Sequence, residues 1–104
     1  MYRGTTPTYT FTVPNTVDLT EASEVHVTFS KTNEELIFDK TGDDITVTAH
    51  AVEVYLTQRE TLSFPNGEVL VQLNWIYTQG ETRKRATTNK ITIQAEKNLI
   101  DEVL

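Results

Sequence analysis

Cysteine is absent from the 104 residues of the sequence. A disulfide framework, a thiolate nucleophile and a cysteine-based zinc or iron–sulfur site are therefore excluded. Basic residues are scarce as well, because 9 lysines and arginines stand against 15 aspartates and glutamates and leave a formal net charge of −6. A general nucleic-acid binder needs a basic face that displaces counterions from phosphates, so this balance argues against that class of protein.

Long apolar runs are missing too. No window approaches the roughly 18 uncharged apolar residues that a membrane helix needs, and residues 1–7 lack the apolar stretch of a signal peptide. We therefore expect a soluble protein with no membrane partner, kept in the cytoplasm of the producing cell unless it is exported within a larger assembly. The chain length predicts a single domain, residues 1–104, whose apolar residues fill one core and leave little for a deep pocket.

Threonine, in contrast, occupies 19 positions and mostly alternates with valine, isoleucine, phenylalanine or tyrosine. Such β-branched and aromatic residues at a period of two predict strands with one apolar face. In the third strand Leu36 and Phe38 are expected to point inward, and the sixth strand is half-apolar on its second face, which indicates a central position. The predicted strands cover residues 8–13, 25–30, 35–40, 45–47, 52–56, 69–77 and 91–95.

The period changes between the fifth and sixth strands. Thr57 and Glu60 have the spacing of a capping box, which predicts one or two helical turns over residues 57–63. Leu62 and Phe64 are expected to close one end of the core.

About seven short strands, without the helices that connect parallel strands, indicate an all-β antiparallel fold. Their regular spacing predicts an immunoglobulin-like β-sandwich with one short helical turn. Residues 1–7 are expected to form an N-terminal arm, and residues 97–104 an apolar C-terminal segment.

The two histidines are the first candidates for catalysis. His26 alternates with apolar residues of the second strand and is expected to point outward, and His50 lies in a predicted turn. A general base needs a partner and a pocket, and the spacing supplies neither. None of the three serines stands in the setting of a strained nucleophile elbow. The sequence therefore predicts no catalytic residue, no enzyme activity and no cofactor.

Asp39, Asp43 and Asp44 gather several carboxylates around one turn. Oxygen ligands on a flexible loop are what calcium selects, but the spacing differs from that of an EF-hand loop. We therefore interpret the segment as an aspartate-rich turn whose side chains bond to nearby backbone N–H groups, with a bound cation as the alternative. No metal site is predicted.

The basic run of Arg83, Lys84 and Arg85 lies at a predicted hairpin tip. A solvated tip is the first interpretation, and an electrostatic contact with an acidic face of another copy or of a neighbouring protein is the second. Three basic residues neutralise too few phosphates to hold duplex nucleic acid. Trp75 is in register with the core residues of the sixth strand, whereas Tyr55 is expected to point outward.

The C-terminal segment carries Leu99, Ile100, Val103 and Leu104, spaced for one face of a short helix or for an extended clasp. An apolar segment of this kind needs cover. Packing on its own sandwich and docking on another subunit are both open. These four residues and the basic run are the candidates for partner binding.

Several sequence blocks follow one another in a recognisable order: residues 2–8 (YRGTTPT), 24–29 (EVHVTF), 40–44 (KTGDD), 56–64 (LTQRETLSF), 67–73 (GEVLVQL) and 99–104 (LIDEVL). In this order they resemble small virion-associated proteins of tailed phages and prophages in Firmicutes, including the N-terminal domain of baseplate upper proteins. The resemblance implies a non-enzymatic structural protein of the phage tail or baseplate, synthesised in the host cytoplasm and located in the virion. The implied partners are other virion proteins and further copies of the chain.

A carbohydrate-binding or adhesin-like module is the alternative function. Such a module would hold a sugar on outward aromatic residues such as Tyr55. The alternative depends on the register that leaves Tyr55 on the same face as Glu53.

Overall fold

The computed structural model covers residues 1–104 and places eight strands in two antiparallel sheets, which confirms the predicted all-β sandwich. The strands are β1 (Thr8–Thr12), β2 (Glu24–Ser30), β3 (Leu36–Thr41), β4 (Ile45–Val47), β5 (Ala51–Tyr55), β6 (Gly67–Gln79), β7 (Thr82–Thr87) and β8 (Ile91–Ala95). The α-helix α1 (Gln58–Leu62) lies between β5 and β6. Two 3-10 turns cover Leu19–Glu21 and Gly42–Asp44.

β6 is the central strand of the larger sheet. The smaller sheet has the order β1-β5-β4, and the larger sheet has the order β3-β2-β6-β7 with β8 also paired to β6. β2 pairs with residues 70–76 of β6. On the other edge of β6, β8 pairs with residues 67–71 and β7 with residues 74–79. β6 is therefore central as predicted, and Leu70 and Ile76 on its second face are partly buried.

β6 runs along the long dimension of the molecule and defines its two ends. Its 13 residues span about 40 Å at about 3.3 Å per residue, and the longest dimension of the protein is 51 Å. The β6–β7 turn lies at one end, here called the hairpin end. At the other end Gly67 pairs with Ala95, and the N–H of Arg3 donates to the C=O of Glu96 at 2.8 Å. This second end, which carries the residues before β1 and after β8, is the terminal end.

The core is a cluster of sixteen buried apolar residues between the two sheets. The alternation of β2 and β6 supplies seven of these residues, and Trp75 is buried as predicted, with 5% of its surface exposed. Aromatic rings fill the centre, since the ring centroid of Phe29 lies 4.8 Å from that of Phe38 and 5.7 Å from that of Phe64. The interior is therefore packed by side chains from both sheets and by Phe64, which lies between α1 and β6.

The prediction of a hairpin tip at residues 83–85 was wrong, because these residues lie within β7. The only apolar side chain of β7 is Ala86, so the sequence of this strand carries no period-two hydrophobic signal. The strand forms because β6 continues beyond β8 and offers backbone partners along the same edge. The turn between β6 and β7 lies at residues 80 and 81, and Gly80 has the left-handed φ of +62° that the turn requires.

The expectation that Leu36 points inward was also wrong, since 60% of its surface is exposed. The pairing of β2 with β3 shifts register between Phe29 and Ser30. As a result Leu36 lies opposite Ser30 while Phe38 lies opposite Phe29 and packs against its ring. A one-residue shift changes which face a side chain occupies, and alternation within one strand does not reveal it.

Helix α1 begins with the predicted capping box. The N–H of Glu60 donates to the hydroxyl of Thr57 at 3.3 Å, and the N–H of Thr57 donates to Oε1 of Glu60 at 2.8 Å. Phe64 is buried as expected, but Leu62 is only half-buried. The fully buried residue of α1 is instead a polar one, Thr61.

The hydroxyl of Thr61 ties the N-terminal arm to α1. It donates to the C=O of Thr5 at 2.8 Å and accepts the N–H of Gly4 at 2.9 Å. Gly4 has a φ of +84°, and a Cβ there would lie 3.4 Å from Cδ2 of Leu62. A left-handed conformation and a close side chain both favour glycine at this position.

We expect Thr61→Val to lower the free energy of unfolding by about 2 kcal/mol, because the valine leaves the N–H of Gly4 and the C=O of Thr5 without their partner. Thr61→Ser keeps the hydroxyl and is the matched control, with an expected loss of about 1 kcal/mol for the methyl group. Urea unfolding followed by circular dichroism measures both values. Amide exchange at Gly4 should accelerate in Thr61→Val alone, and equal protection in both variants would contradict the assignment.

Candidate functional site

The largest surface depression has a volume of about 560 Å³, and half of its ten lining residues are apolar, among them Leu19, Val25 and Val47. Its one ionisable side chain is Glu24. The carboxylate of Glu24 lies 2.8 Å from Nη2 of Arg83. A single carboxylate committed to an ion pair does not provide the acid and base that proton-transfer chemistry requires.

A row of polar side chains crosses the outer face of the larger sheet. Nδ1 of His26 lies 2.6 Å from Oδ2 of Asp39, and the hydroxyl of Thr28 donates to Oδ1 of the same carboxylate at 2.9 Å. On the neighbouring strands Arg85 donates from Nε and Nη2 to Oδ1 of Asn74 at 3.1 and 2.9 Å. These five residues, called the polar row, line an open depression of about 260 Å³.

The polar row contains a contact that sequence reasoning missed. His26 lies on the outer face as expected, but the sequence grouped Asp39 with the aspartates of the following turn. The signal was available, because antiparallel pairing of β2 and β3 places Thr28 opposite Asp39 with both side chains outward. A hydrolase triad needs a hydroxyl bonded to the histidine ring, whereas the Thr28 hydroxyl bonds to the carboxylate. The contact therefore fixes side chains on the sheet surface.

His50 has a structural partner. Its Nδ1 lies 2.6 Å from the C=O of Val17, so the ring joins the β4–β5 connection to the loop before β2. In that loop the side chain and N–H of Thr20 donate to Asp18 and lower the pKa of its carboxyl group. The partner on Nδ1 assigns His50 the role of holding this loop.

The three aspartates that suggested a cation site do not converge. Asp39 faces His26, while Asp43 and Asp44 lie in the 3-10 turn with exposed side chains. No group of three or more histidine, aspartate or glutamate side chains is close enough together to hold a metal ion.

The basic run lies on an edge strand of the larger sheet. Arg83 pairs with Glu24, and Arg85 bonds to the neutral side chain of Asn74. Lys84 shares a depression with Asp18 and Glu21 but forms no ion pair with them. Two of the three positive charges are therefore free of a carboxylate partner.

Polar contacts hold the C-terminal segment on its own domain. Asp101 pairs with Arg3, Nδ2 of Asn98 donates to the C=O of Arg3 at 3.3 Å, and the N–H of Leu104 donates to Oε1 of Gln58 at 2.8 Å. The apolar side chains are left outside, and Leu99 is fully exposed at 103% of its reference area. The large apolar residues exposed in and beside this segment are Tyr2, Leu99, Ile100, Val103 and Leu104.

Comparison with protein families, with curated proteins and with solved structures gave no significant match. The one α-helix has five residues, and no helix is long and apolar enough to cross a membrane.

Proposed function

We propose that this chain is a non-enzymatic structural protein of a phage or prophage virion, in the tail or baseplate, and that it works through contacts with other proteins. The observation that carries the proposal is the C-terminal segment. Its four apolar side chains are exposed although the sixteen-residue core is complete without them.

Four exposed apolar side chains within one short segment support a contact surface. A monomer rarely exposes a contiguous apolar patch of more than a few hundred Å², and larger patches mark interaction sites. Tyr2 lies beside the segment, since its backbone pairs with Glu96, and its side chain is exposed as well. The terminal end is therefore the part of the molecule best suited to bind another protein.

The phage setting rests on the resemblance of the ordered sequence blocks, and three of these blocks meet at the terminal end. Arg3 of the first block donates to the C=O of Leu62 at 2.7 Å and pairs with Asp101 of the last block. Gly4 donates to Thr61 of the block that contains α1. Contacts between blocks so distant in sequence support their interpretation as the signature of one fold.

Quantitative mass spectrometry of virions tests this function. Particles are purified by density gradient from the strain that carries the gene, and a ribosomal protein is followed as the control for contamination. We expect the chain at a fixed copy number per particle after the ribosomal protein has been removed. If this chain is present in the crude lysate but absent from the purified intact particles, the proposal is overturned.

Carbohydrate binding remains the second candidate because Tyr55 is 53% exposed on the smaller sheet. It lines an open depression of about 310 Å³ together with Asp43, Asp44 and Glu53, and carboxylates beside an aromatic ring suit sugar hydroxyls.

We expect Tyr55→Ala to change the free energy of unfolding by less than about 0.5 kcal/mol, since the side chain is on the surface. The leading proposal predicts no specific glycan on an array for either protein. A glycan bound by the wild type and lost in Tyr55→Ala would make the second candidate the first.

A further inference from the structure

We infer that residues 99–104 of one copy dock on the free edge of β7 in a second copy, so that successive copies join head to tail. The inference rests on the proposed function and names the partner: another copy of this chain. Two surfaces carry the inference, the free edge of β7 and residues 99–104. They have opposite charge, the β7 edge has unpaired backbone groups, and the two surfaces lie at opposite ends of the molecule.

The edge of β7 is open and positively charged. β7 pairs with β6 on one side only, so its other edge presents unpaired N–H and C=O groups to an added strand. Lys84 has no ion-pair partner, and Arg85 bonds to the neutral Asn74. Consecutive residues of a strand point to opposite faces, so these two cations flank the edge on both faces of the sheet.

Residues 99–104 have the complementary character. They contain no helix or strand, and their only charged side chains are the consecutive carboxylates of Asp101 and Glu102. In an extended conformation these carboxylates also point to opposite faces. An antiparallel register that places Glu102 opposite Lys84 places Asp101 opposite Arg85 and matches all six residues of the segment to the six of β7. The same register sets Ile100 beside Ala86.

The two surfaces cannot meet within one chain. β7 lies at the hairpin end, and residues 99–104 lie at the terminal end near Gln58 and Arg3. Thr87, the residue of β7 nearest the terminal end, lies opposite Asn74, seven residues of β6 or about 23 Å from the pair of Gly67 with Ala95. The few residues between Ala95 and Leu99 are too short to span this distance. The contact therefore joins two copies, and because it uses different surfaces on each copy it can repeat to form a ring or a filament.

Symmetric pairings are disfavoured by charge. Two β7 edges would bring Lys84 and Arg85 against the same cations of the partner, and two C-terminal segments would bring carboxylates together. Docking of residues 99–104 on β7 pairs opposite charges and covers the exposed Leu99 and Leu104. On docking, the carboxylate of Asp101 leaves Arg3 of its own chain and pairs with Arg85 of the second copy.

The proposed contact between Glu102 and Lys84 of a second copy is tested by charge exchange. Three variants are compared: Lys84→Glu, Glu102→Lys and the double variant. Neither residue has an ion-pair partner in its own chain, so each variant should keep the wild-type thermal midpoint. Sedimentation velocity over a concentration series at low salt measures self-association. We expect each single variant to weaken association about fivefold, and we expect the double variant to return to the wild-type value. Lys31→Glu, an equal charge change on the β2–β3 loop, is the control and should leave association unchanged.

A double variant as weak as the product of the two single variants would overturn the pairing of Glu102 with Lys84. Loss of association in a chain without residues 99–104, combined with no effect of Lys84→Glu, would show that the segment docks elsewhere. A wild-type chain that is monomeric at every concentration would overturn the inference. The proposed function would still be decided by the virion measurement, which does not depend on self-association.

Discussion

Replacing Trp75 with alanine is expected to lower the free energy of unfolding by about 3–5 kcal/mol. The side chain is 5% exposed on the inward face of β6, where its backbone lies between Val25 of β2 and Ala86 of β7. Neighbours on both sides are held in the sheet and cannot move in to fill the space. The substitution therefore loses the transfer free energy of the indole and leaves a cavity.

Urea unfolding followed by far-ultraviolet circular dichroism measures the loss, because the substitution removes the only tryptophan and with it the fluorescence signal. Trp75→Phe is the matched control and should cost about 1–2 kcal/mol, since a smaller ring still fills most of the site. A loss well below 1 kcal/mol in Trp75→Ala would place the ring on the outer face.

Lys40→Ala is expected to lower the free energy of unfolding by about 3 kcal/mol. Lys40 belongs to β3, and only 7% of the residue is exposed. Its Nζ lies 2.7 Å from Oε1 of Glu60 in α1 and donates to the C=O of Tyr55 at 2.9 Å, so one ammonium group joins the larger sheet to β5 and α1. Removing it leaves the largely covered carboxylate of Glu60 with no counter-charge and the C=O of Tyr55 without this donor. The partial exposure of Glu60 keeps the expected loss at the lower end of the range for buried pairs.

Lys31→Ala supplies the control for Lys40→Ala. Lys31 pairs with Glu35 at 3.6 Å on the surface, and its loss should cost less than about 0.5 kcal/mol. Both variants are compared by urea unfolding at the same pH and salt concentration. Equal stability of the two variants would contradict a joining role for Lys40.

Local signals in the sequence predicted most of the strands and the helix. One face of β2 carries all its apolar residues and one face of β6 carries most of them, so alternation alone identified Val27, Phe29 and Trp75 as core. The capping box needs only Thr57 and Glu60, three residues apart, and it formed as predicted. These features depend on a few neighbouring residues, which is the range over which composition and spacing are informative.

Features that depend on pairing between distant strands were not predicted. β7 has almost no apolar side chains and exists because β6 provides an edge. The exposure of Leu36 follows from a register shift against β2, and the contact of His26 with Asp39 follows from the pairing of the same two strands. The burial of Lys40 requires Glu60 to approach from α1, which follows β5 of the smaller sheet. Spacing within one segment does not encode these partners.

The most direct test of a role in protein contacts is photo-crosslinking from position 99 inside assembled virions. Leu99 is replaced by a photoreactive phenylalanine analogue, and the same analogue at Asp43, an exposed residue of the turn after β3 on the edge of the larger sheet opposite β7, serves as the control. Irradiated particles should yield a covalent product between position 99 and another virion chain, and head-to-tail docking predicts that mass spectrometry will find the link in β7 of a second copy. Particles that contain the chain at full copy number but give no intermolecular product from position 99 would contradict the account.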